Sequence, residues 1–291
     1  DAGDKATYAI VVENTGSGLN GAFDVQVKDA LPTGYTAADV SNIRVADGTG
    51  AVVAATNVGG GAGLFDLGIE LTDPGATAIP TGALDPYDVS SGRNIAVITY
   101  DLTLKASLPA SSVLTNTSSL LRYAGLEGGT NHVLAPLTDP ASVTAASPTL
   151  AKTRVGTELT NVNNTAAQAV VGEVITYQLT LTVPEGVTGA VSIVDTLDGG
   201  LAYVGPVIAT NSNGAQVTLT GLTAPVVTNN GQTLTFSLGD ITDANSDNNT
   251  PETITLAYPV VVLNVAGNVA NTQLNNSARM TWTGGSPVTV S

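Results

Sequence analysis

The most constraining feature of the sequence is an internal repeat, because a series of short motifs occurs twice in the same order. The matching pairs are residues 3–8 (GDKATY) with 172–177 (GEVITY), 27–31 (VKDAL) with 193–197 (IVDTL), 64–68 (LFDLG) with 234–239 (LTFSLG), and 115–120 (TNTSSL) with 275–280 (NNSARM). A repeat of this length indicates one fold encoded twice, so a chain of 291 residues is expected to form two domains.

Both copies show the pattern of β-strands. Apolar and polar residues alternate with a period of two, as in residues 177–183 (YQLTLTV). Turn sequences such as residues 14–16 (NTG) and 198–200 (DGG) separate these runs. No stretch has the pattern of an amphipathic helix longer than two turns. The sequence therefore predicts an all-β chain of β-sandwiches or barrels.

A short segment rich in proline and small residues separates the two copies. Residues 139–148 (DPASVTAASP) contain two prolines and are typical of a linker. We therefore predict a first β-sandwich repeat over residues 1–140 and a second over residues 141–291. Because the chain begins with Asp1 rather than Met, we also expect it to be a segment of a longer protein.

The composition excludes several classes of protein. The net charge is −15, and the 9 lysines and arginines are scattered, so we expect no nucleic-acid partner. The absence of cysteine excludes disulfides and thiolate metal sites, and a single histidine leaves no residues for the usual zinc or Ser-His-Asp chemistry. No apolar run approaches the 18 residues or so of a membrane-spanning helix. We therefore expect neither a membrane span in this segment nor an enzyme.

Strand parity places several polar side chains on the buried face. In residues 23–29 (FDVQVKD) the apolar residues occupy alternate positions, and the final aspartate shares their parity. The same rule favours Asn276 over Asn275 in the last strand of the second copy. The side chains that parity places inward are Asp29, Asn116, Lys152, Asp195 and Asn276. A small core with an inward lysine, aspartate and asparagine needs a specific explanation, because unpaired buried charges are costly.

Three of these side chains have the chemistry of a self-crosslinking reaction. Burial lowers the pKa of a lysine and raises the pKa of an aspartate, which favours a neutral, nucleophilic amine beside a protonated carboxyl. If the amine of Lys152 attacks the carboxamide of Asn276, ammonia leaves and an amide remains, with Asp195 as the proton shuttle. The alternative is structural: Asp195 and Asn276 are ordinary hydrogen-bonding core residues and Lys152 extends to water.

The motifs that carry these residues resemble a known family. The order Lys-Thr (152–153), Gly-x-x-x-Thr-Tyr (172–177), Val-Asp-Thr-Leu (194–197) and Asn-Ser-Ala (276–278) is similar to that of isopeptide-forming domains of bacterial fimbrial and surface proteins. These include the collagen-adhesin type. The resemblance implies two tandem immunoglobulin-like β-sandwiches from an extracellular protein of the bacterial cell surface. It implies a structural stalk or fibre segment of an adhesin or fimbria-like assembly, whose partners are neighbouring repeats or copies of the same protein.

The first copy departs from this pattern. Asp29 and Asn116 are its possible counterparts of the second-copy aspartate and asparagine, but no lysine precedes its Gly-x-x-x-Thr-Tyr motif by about the same distance as Lys152 precedes the second. We therefore expect the first sandwich to lack its opening strand. Either the segment is cut from a longer array, or another copy donates the strand to form a self-assembling filament.

A second alternative is a surface module that binds calcium or a glycan. Residues 240–252 are rich in oxygen donors, with an alternating order that resembles a calcium loop. The candidate calcium ligands are Asp243, Asn245, Asp247 and Glu252. This loop lacks the glycine of an EF-hand, and its glutamate comes two residues early. The crosslinking reaction itself requires no cofactor, so calcium is the one cofactor that the sequence suggests.

Overall fold

The computed structural model describes residues 1–72, 82–159 and 168–291. The chain divides into two compact units. The N-terminal unit comprises residues 4–104 and 113–144, and the C-terminal unit comprises residues 1–3, 105–112 and 145–291. Because residues 105–112 belong to the C-terminal unit, no single cut in the chain, such as that between residues 140 and 141, separates the two units.

The N-terminal unit contains two antiparallel sheets. Its strands are β1 (Lys5–Glu13), β2 (Phe23–Ala30), β3 (Val40–Asp47), β4 (Ala55–Asn57), β5 (Ile69–Leu71), β6 (Ile95–Thr103), β7 (Val113–Ala124) and β8 (Leu137–Thr144). One sheet has the order β1-β6-β3 and the other has the order β4-β5-β2-β7-β8. Two short 3₁₀ turns, Ala37–Asp39 and Val58–Gly60, lie in the connections.

The C-terminal unit also contains two antiparallel sheets. Its strands are β9 (Thr149–Thr157), β10 (Val174–Val183), β11 (Gly186–Leu197), β12 (Leu201–Tyr203), β13 (Ile208–Asn211), β14 (Val217–Leu219), β15 (Val226–Thr228), β16 (Thr233–Asp243), β17 (Glu252–Val262), β18 (Asn276–Thr281) and β19 (Val288–Val290). One sheet has the order β12-β17-β10-β9, with β13 also paired to β17. The other has the order β14-β16-β11-β18-β19, with β15 also paired to β16. A 3₁₀ turn spans Asn229–Gly231.

Alternation along the strands creates the buried face of each sheet. In the C-terminal unit one apolar cluster contains residues of both sheets, which places the core between them. Ile193 of β11, Phe236 of β16 and Tyr258 of β17 have no exposed surface. In the N-terminal unit Val27 of β2 and Ile98 of β6 are similarly buried. The prediction of an all-β chain built from β-sandwiches is therefore confirmed.

The two units differ at the edge of one sheet. In the C-terminal unit β9 pairs with β10, which pairs with β17 on its other side. In the N-terminal unit β1 takes the place of β10 and pairs with β6, and within residues 1–72, 82–159 and 168–291 no strand pairs with its other edge. Among the described residues, no strand of the N-terminal unit therefore takes the position that β9 holds in the C-terminal unit.

The predicted linker is partly a strand. Residues 139–144 lie within β8, which pairs with β7 over its whole length, and the connection to β9 is correspondingly short. The prediction of a linker over residues 139–148 was wrong for its first part. Pro140 lacks an amide N–H, but β8 is an edge strand, where proline is tolerated.

None of the helices within the described ranges is long or apolar enough to cross a membrane.

We expect the substitution Ile193→Ala to destabilise the C-terminal unit by about 2–5 kcal/mol, because it leaves a cavity between the two sheets. The matched control is Ile208→Ala, since Ile208 on β13 is 66% exposed and its loss should change stability by less than about 0.5 kcal/mol. Urea unfolding followed by the fluorescence of Trp282, the one tryptophan, measures both. Equal losses for the two variants would contradict the assignment of the core.

Candidate crosslinking site

Three strands bring the predicted crosslinking residues into the core of the C-terminal unit. Lys152 lies on β9, where it is opposite Leu179 of β10. Asp195 lies on β11 in the facing sheet, and Asn276 begins β18, the neighbour of β11. In the β11–β18 register Asp195 is opposite Ala278, so the aspartate and the asparagine occupy adjacent positions of one sheet face.

A bulge sets the face on which Asp195 lies. The pairing of β11 with β16 shifts between Thr188 and Val191, and Ala190 has a positive φ of 49°. Both Thr188 and Val191 are buried although their positions differ in parity, because the bulge inserts a residue and rotates the rest of the strand. From Val191 onward the alternation is regular, which directs Asp195 into the core.

Lys152 and Asp195 form a buried ion pair. The Nζ of Lys152 donates to Oδ2 of Asp195, and the two side chains are 2% and 0% exposed. The hydroxyl of Tyr258 donates to the same carboxylate oxygen at 2.6 Å. The ring of Tyr177 lies on another side of the amine, with its centroid 5.3 Å from Nζ. The amine is therefore held between a carboxylate and an aromatic face, away from water.

Burial shifts both members of the pair toward their neutral forms. It lowers the pKa of the Lys152 ammonium, while the charge and hydrogen bond of Asp195 act in the opposite direction. It raises the pKa of the Asp195 carboxyl, against the opposing effects of Lys152, Tyr258 and Asn276. The charged pair and the neutral pair differ only in the position of one proton, so the site can supply a neutral amine without exchange with solvent.

Asn276 lies beside this pair with its own hydrogen bonds unmade. Its amide is close enough to Asp195 to lower the pKa of the carboxyl, yet neither Nδ2 nor Oδ1 has a partner at hydrogen-bond geometry. Oδ1 of Asp195 is also without a partner. Buried polar atoms without partners cost about 1–3 kcal/mol each. An amine, a carboxyl and a carboxamide without hydrogen-bond partners thus lie together in one buried core.

The N-terminal unit repeats this arrangement without the lysine. Asn116 donates from Nδ2 to Oδ1 of Asp29 at 2.8 Å, and the Tyr100 hydroxyl donates to Oδ2 at 2.6 Å. Tyr8 stacks on Tyr100 with ring centroids 5.5 Å apart. Burial raises the pKa of the Asp29 carboxyl, and no lysine or arginine within the described residues acts against that shift.

The sequence analysis missed the two tyrosines that donate to the aspartates. Tyr258 shares the parity of Leu256 and Val260 in β17, so the alternation rule places it inward. Tyr100 occupies the equivalent position of β6. A search for polar groups on buried faces, extended from charged residues to tyrosine hydroxyls, finds both.

The predicted calcium ligands lie around the turn from β16 to β17. Asp243 ends β16 and is buried, and Glu252 begins β17 and accepts a hydrogen bond from the amide of Asn245. Asp247 accepts from the backbone N–H of Asn249 at 3.2 Å. Within the part of the chain that the structure describes, no group of three or more acidic or histidine side chains is arranged to hold a metal ion. Calcium binding stays a prediction.

No protein-family model and no curated protein sequence matches the chain. Among solved structures, the chain is similar to the C-terminal domain of the antigen I/II polypeptide BspA of Streptococcus agalactiae, with 11% identity and a TM-score of 0.40 over 99% of this chain and 91% of that one. It is similar to the C-terminal domain of the antigen I/II-family protein AspA of Streptococcus pyogenes, with 13% identity and a TM-score of 0.37 over 99% and 92%. It is also similar to BcpA, the major pilin subunit of Bacillus cereus, with 12% identity and a TM-score of 0.33 over 96% and 64%. At these sequence identities and TM-scores the similarity does not indicate a function, so the function is inferred from the chain's own residues.

Proposed function

We propose that the chain is a structural stalk or fibre segment of a bacterial cell-surface protein, and that an amide between Lys152 and Asn276 stabilises its C-terminal unit. The observation that carries the proposal is the buried contact of Lys152 with Asp195, beside the unsatisfied amide of Asn276. A buried lysine–aspartate pair is a weak source of stability by itself, since desolvation offsets most of the attraction. A reaction that consumes the amine explains why the lysine is buried.

The proposed reaction uses only groups of this site. Asp195 takes the proton of Lys152, and the neutral Nζ attacks Cγ of Asn276 to form a C–N bond. The carboxyl of Asp195 then gives a proton to the departing amide nitrogen, which leaves as ammonia, and takes up the second proton of Nζ, so that Asp195 ends in its neutral form. One C–N bond forms and one breaks, so the step needs no oxidant, metal or cofactor. Because each chain reacts once with itself, the process is self-modification and not enzyme turnover.

The crosslink joins the opening strand to the strand before the last. Lys152 lies on β9, whereas Asn276 lies on β18, and β19 still follows. The expectation that the last strand carries the acceptor needs this correction. Because β9 and β18 belong to different sheets, the amide ties the two sheets together as well as the two ends of the fold. Under tension such a bond prevents the strands between residues 152 and 276 from being drawn out.

The absence of cysteine fits this role. Disulfides stabilise many extracellular domains, but this chain has no cysteine from which to form one. An amide crosslink closes a loop in the same way and is not reducible. The proposed extracellular location and the proposed partners, which are neighbouring repeats or copies of the same protein, follow from the motif resemblance together with this stabilisation.

We expect the purified, denatured chain to weigh about 17 Da less than its sequence requires, which is one ammonia. The deficit should vanish in Lys152→Ala and in Asn276→Ala, because each removes one reacting group. It should persist in Lys5→Ala, since Lys5 is exposed on β1. Intact-mass spectrometry measures all four proteins.

Loss of the deficit in Asp195→Ala, with folding retained by circular dichroism, would support the role of the carboxyl as proton shuttle. A wild-type chain at its full sequence mass would contradict the proposed crosslink. The aspartate and the asparagine would then be core hydrogen-bonding residues only.

We expect Asn276→Ala to destabilise the C-terminal unit by about 5 kcal/mol, the chain-entropy value for opening a crosslink over roughly 120 residues. For a domain of this size the melting temperature should fall by about 10–20 °C. The variant keeps the contact of Lys152 with Asp195, so the loss reports the amide and not the ion pair. Calorimetry of the intact chain provides the measurement.

The matched control is Asn275→Ala, because Asn275 is the exposed neighbour of the acceptor. Its melting temperature should equal that of the wild type within a degree or two. If both asparagine variants melted alike, the acceptor would contribute no covalent stabilisation.

A further inference from the structure

Two buried carboxylates lie together in the C-terminal unit, away from the crosslinking site. Asp243 is the last residue of β16 and Glu252 is the first residue of β17, and they are 2% and 6% exposed. In the register of β11 and β16, Asp243 is opposite Gly186 whereas Asp195 is opposite Leu234. The two positions on β16 are therefore roughly 25–30 Å apart along the strand. The pair takes no part in the proposed crosslink.

Three segments of the chain hold the two carboxylates side by side. The backbone N–H of Asn245, in the turn from β16 to β17, donates to Oδ1 of Asp243 at 3.0 Å. The side-chain amide of the same asparagine donates to Oε1 of Glu252. The amide of Asn213, in the turn from β13 to β14, donates to that oxygen at 3.3 Å. The position of the pair is thus fixed by two turns and by the ends of two strands.

One oxygen of this pair has no hydrogen-bond partner. Oδ2 of Asp243 is buried and accepts no hydrogen bond. Burial raises the pKa of the Asp243 carboxyl, and the adjacent Glu252 carboxyl raises it further. Within the described ranges no lysine or arginine side chain opposes these two effects. Two acidic groups are therefore in contact inside the unit without a basic side chain between them.

This arrangement favours a positively charged ligand. Buried charges in proteins are normally paired with an opposite charge or coordinate a metal ion, because an isolated buried charge is costly. Two carboxylates that share a site disfavour each other's charge. Their oxygens are ligands that calcium and magnesium prefer. A divalent cation between the two side chains balances both charges and uses the oxygen that no hydrogen bond occupies.

We propose that Asp243 and Glu252 together bind a divalent cation, and that this ion is calcium. Oδ2 of Asp243 and the carboxylate of Glu252 are its protein ligands. Calcium accepts an irregular set of oxygen ligands that includes water, whereas magnesium requires nearly octahedral geometry. Calcium is therefore the better match to carboxylates whose positions are set by separate segments of the chain.

The proposed ligands differ from the set that the order of residues suggests. Oδ1 of Asn245 accepts from the backbone N–H groups of Ser246 and Asp247 at 2.9 and 3.3 Å, which directs its amide nitrogen toward Glu252. Asn245 therefore positions a ligand and is not one itself. Asp247 is exposed and accepts from the backbone of Asn249. Its carboxylate therefore lies outside the proposed site.

Binding at this pair would stabilise the end of the sandwich that the crosslink does not reach. The ion would hold the end of β16 against the start of β17, and through Asn213 it would also restrain the turn from β13 to β14. This inference does not rest on the proposed crosslink, because the two sites share no residue.

The test is calorimetric melting of the intact chain in EDTA, in calcium chloride and in magnesium chloride, all at equal ionic strength. For a dissociation constant of about 0.1–1 mM, calcium at about 10 mM should raise the melting temperature of the C-terminal unit by about 3–10 °C. Magnesium should raise it less. The calcium response should vanish in Asp243→Asn and in Glu252→Gln, and it should persist in Lys152→Ala.

The matched control is Asp247→Asn, which removes the same charge from the exposed part of the turn and should keep the calcium response. In EDTA, Asp243→Asn should melt no lower than the wild type, because an amide of the same shape replaces one of two repelling carboxylates. A clearly lower melting temperature there would contradict the inference and assign Asp243 a structural role.

The remaining outcomes are equally distinct. No response to calcium in a protein whose mass shows the crosslink would overturn this inference and leave the proposed function intact. A response that survives Asp243→Asn, or that vanishes in Asp247→Asn, would also overturn it. A response to magnesium as large as that to calcium would support the site and contradict the choice of ion.

Discussion

Burial of an amine beside a carboxyl is the constraint on which the C-terminal unit depends. Lys152 and Asp195 come from facing sheets, so their contact fixes the sheets' separation and alignment at that point. Two charges removed from water are stable only with good geometry and further hydrogen bonds. The Tyr258 hydroxyl supplies one, and the Asn276 amide lies where another is expected. The same desolvation lowers the pKa of the Lys152 ammonium, which is the property that the proposed reaction requires.

The two units of the chain form a natural comparison. Both place an aspartate at the end of a bulged strand, an asparagine on the neighbouring strand and a tyrosine hydroxyl on the facing sheet. Without the lysine, Asn116 turns its nitrogen to Asp29 and makes a hydrogen bond of ordinary length. In the C-terminal unit, which has the lysine, the Lys152 amine donates to Oδ2 of Asp195. There the amide of Asn276 has no partner at hydrogen-bond geometry. The two arrangements thus differ by one strand and the lysine that it carries.

Alternation in the sequence predicted the strands and the buried faces near the site, including the choice of Asn276 over its exposed neighbour. It succeeded because a residue's parity within one strand is local information. Three features depend on distant pairing and were missed: the strand character of residues 139–144, the strand β19 after β18, and the tyrosine donors. The bulge at Ala190 shows the limit, since parity counted across it would turn Asp195 outward. Which groups meet across the sandwich is decided by the register of strands far apart in the chain.

The unpaired edge of β1 also has a consequence for solubility. Long edges with alternating apolar residues, such as Val11 at 61% exposure, are templates for pairing between identical molecules. The net charge of −15 opposes that pairing, since like-charged copies repel one another over a Debye length of about 10 Å in 0.1 M salt. The negative net charge thereby opposes aggregation through the open edge of β1.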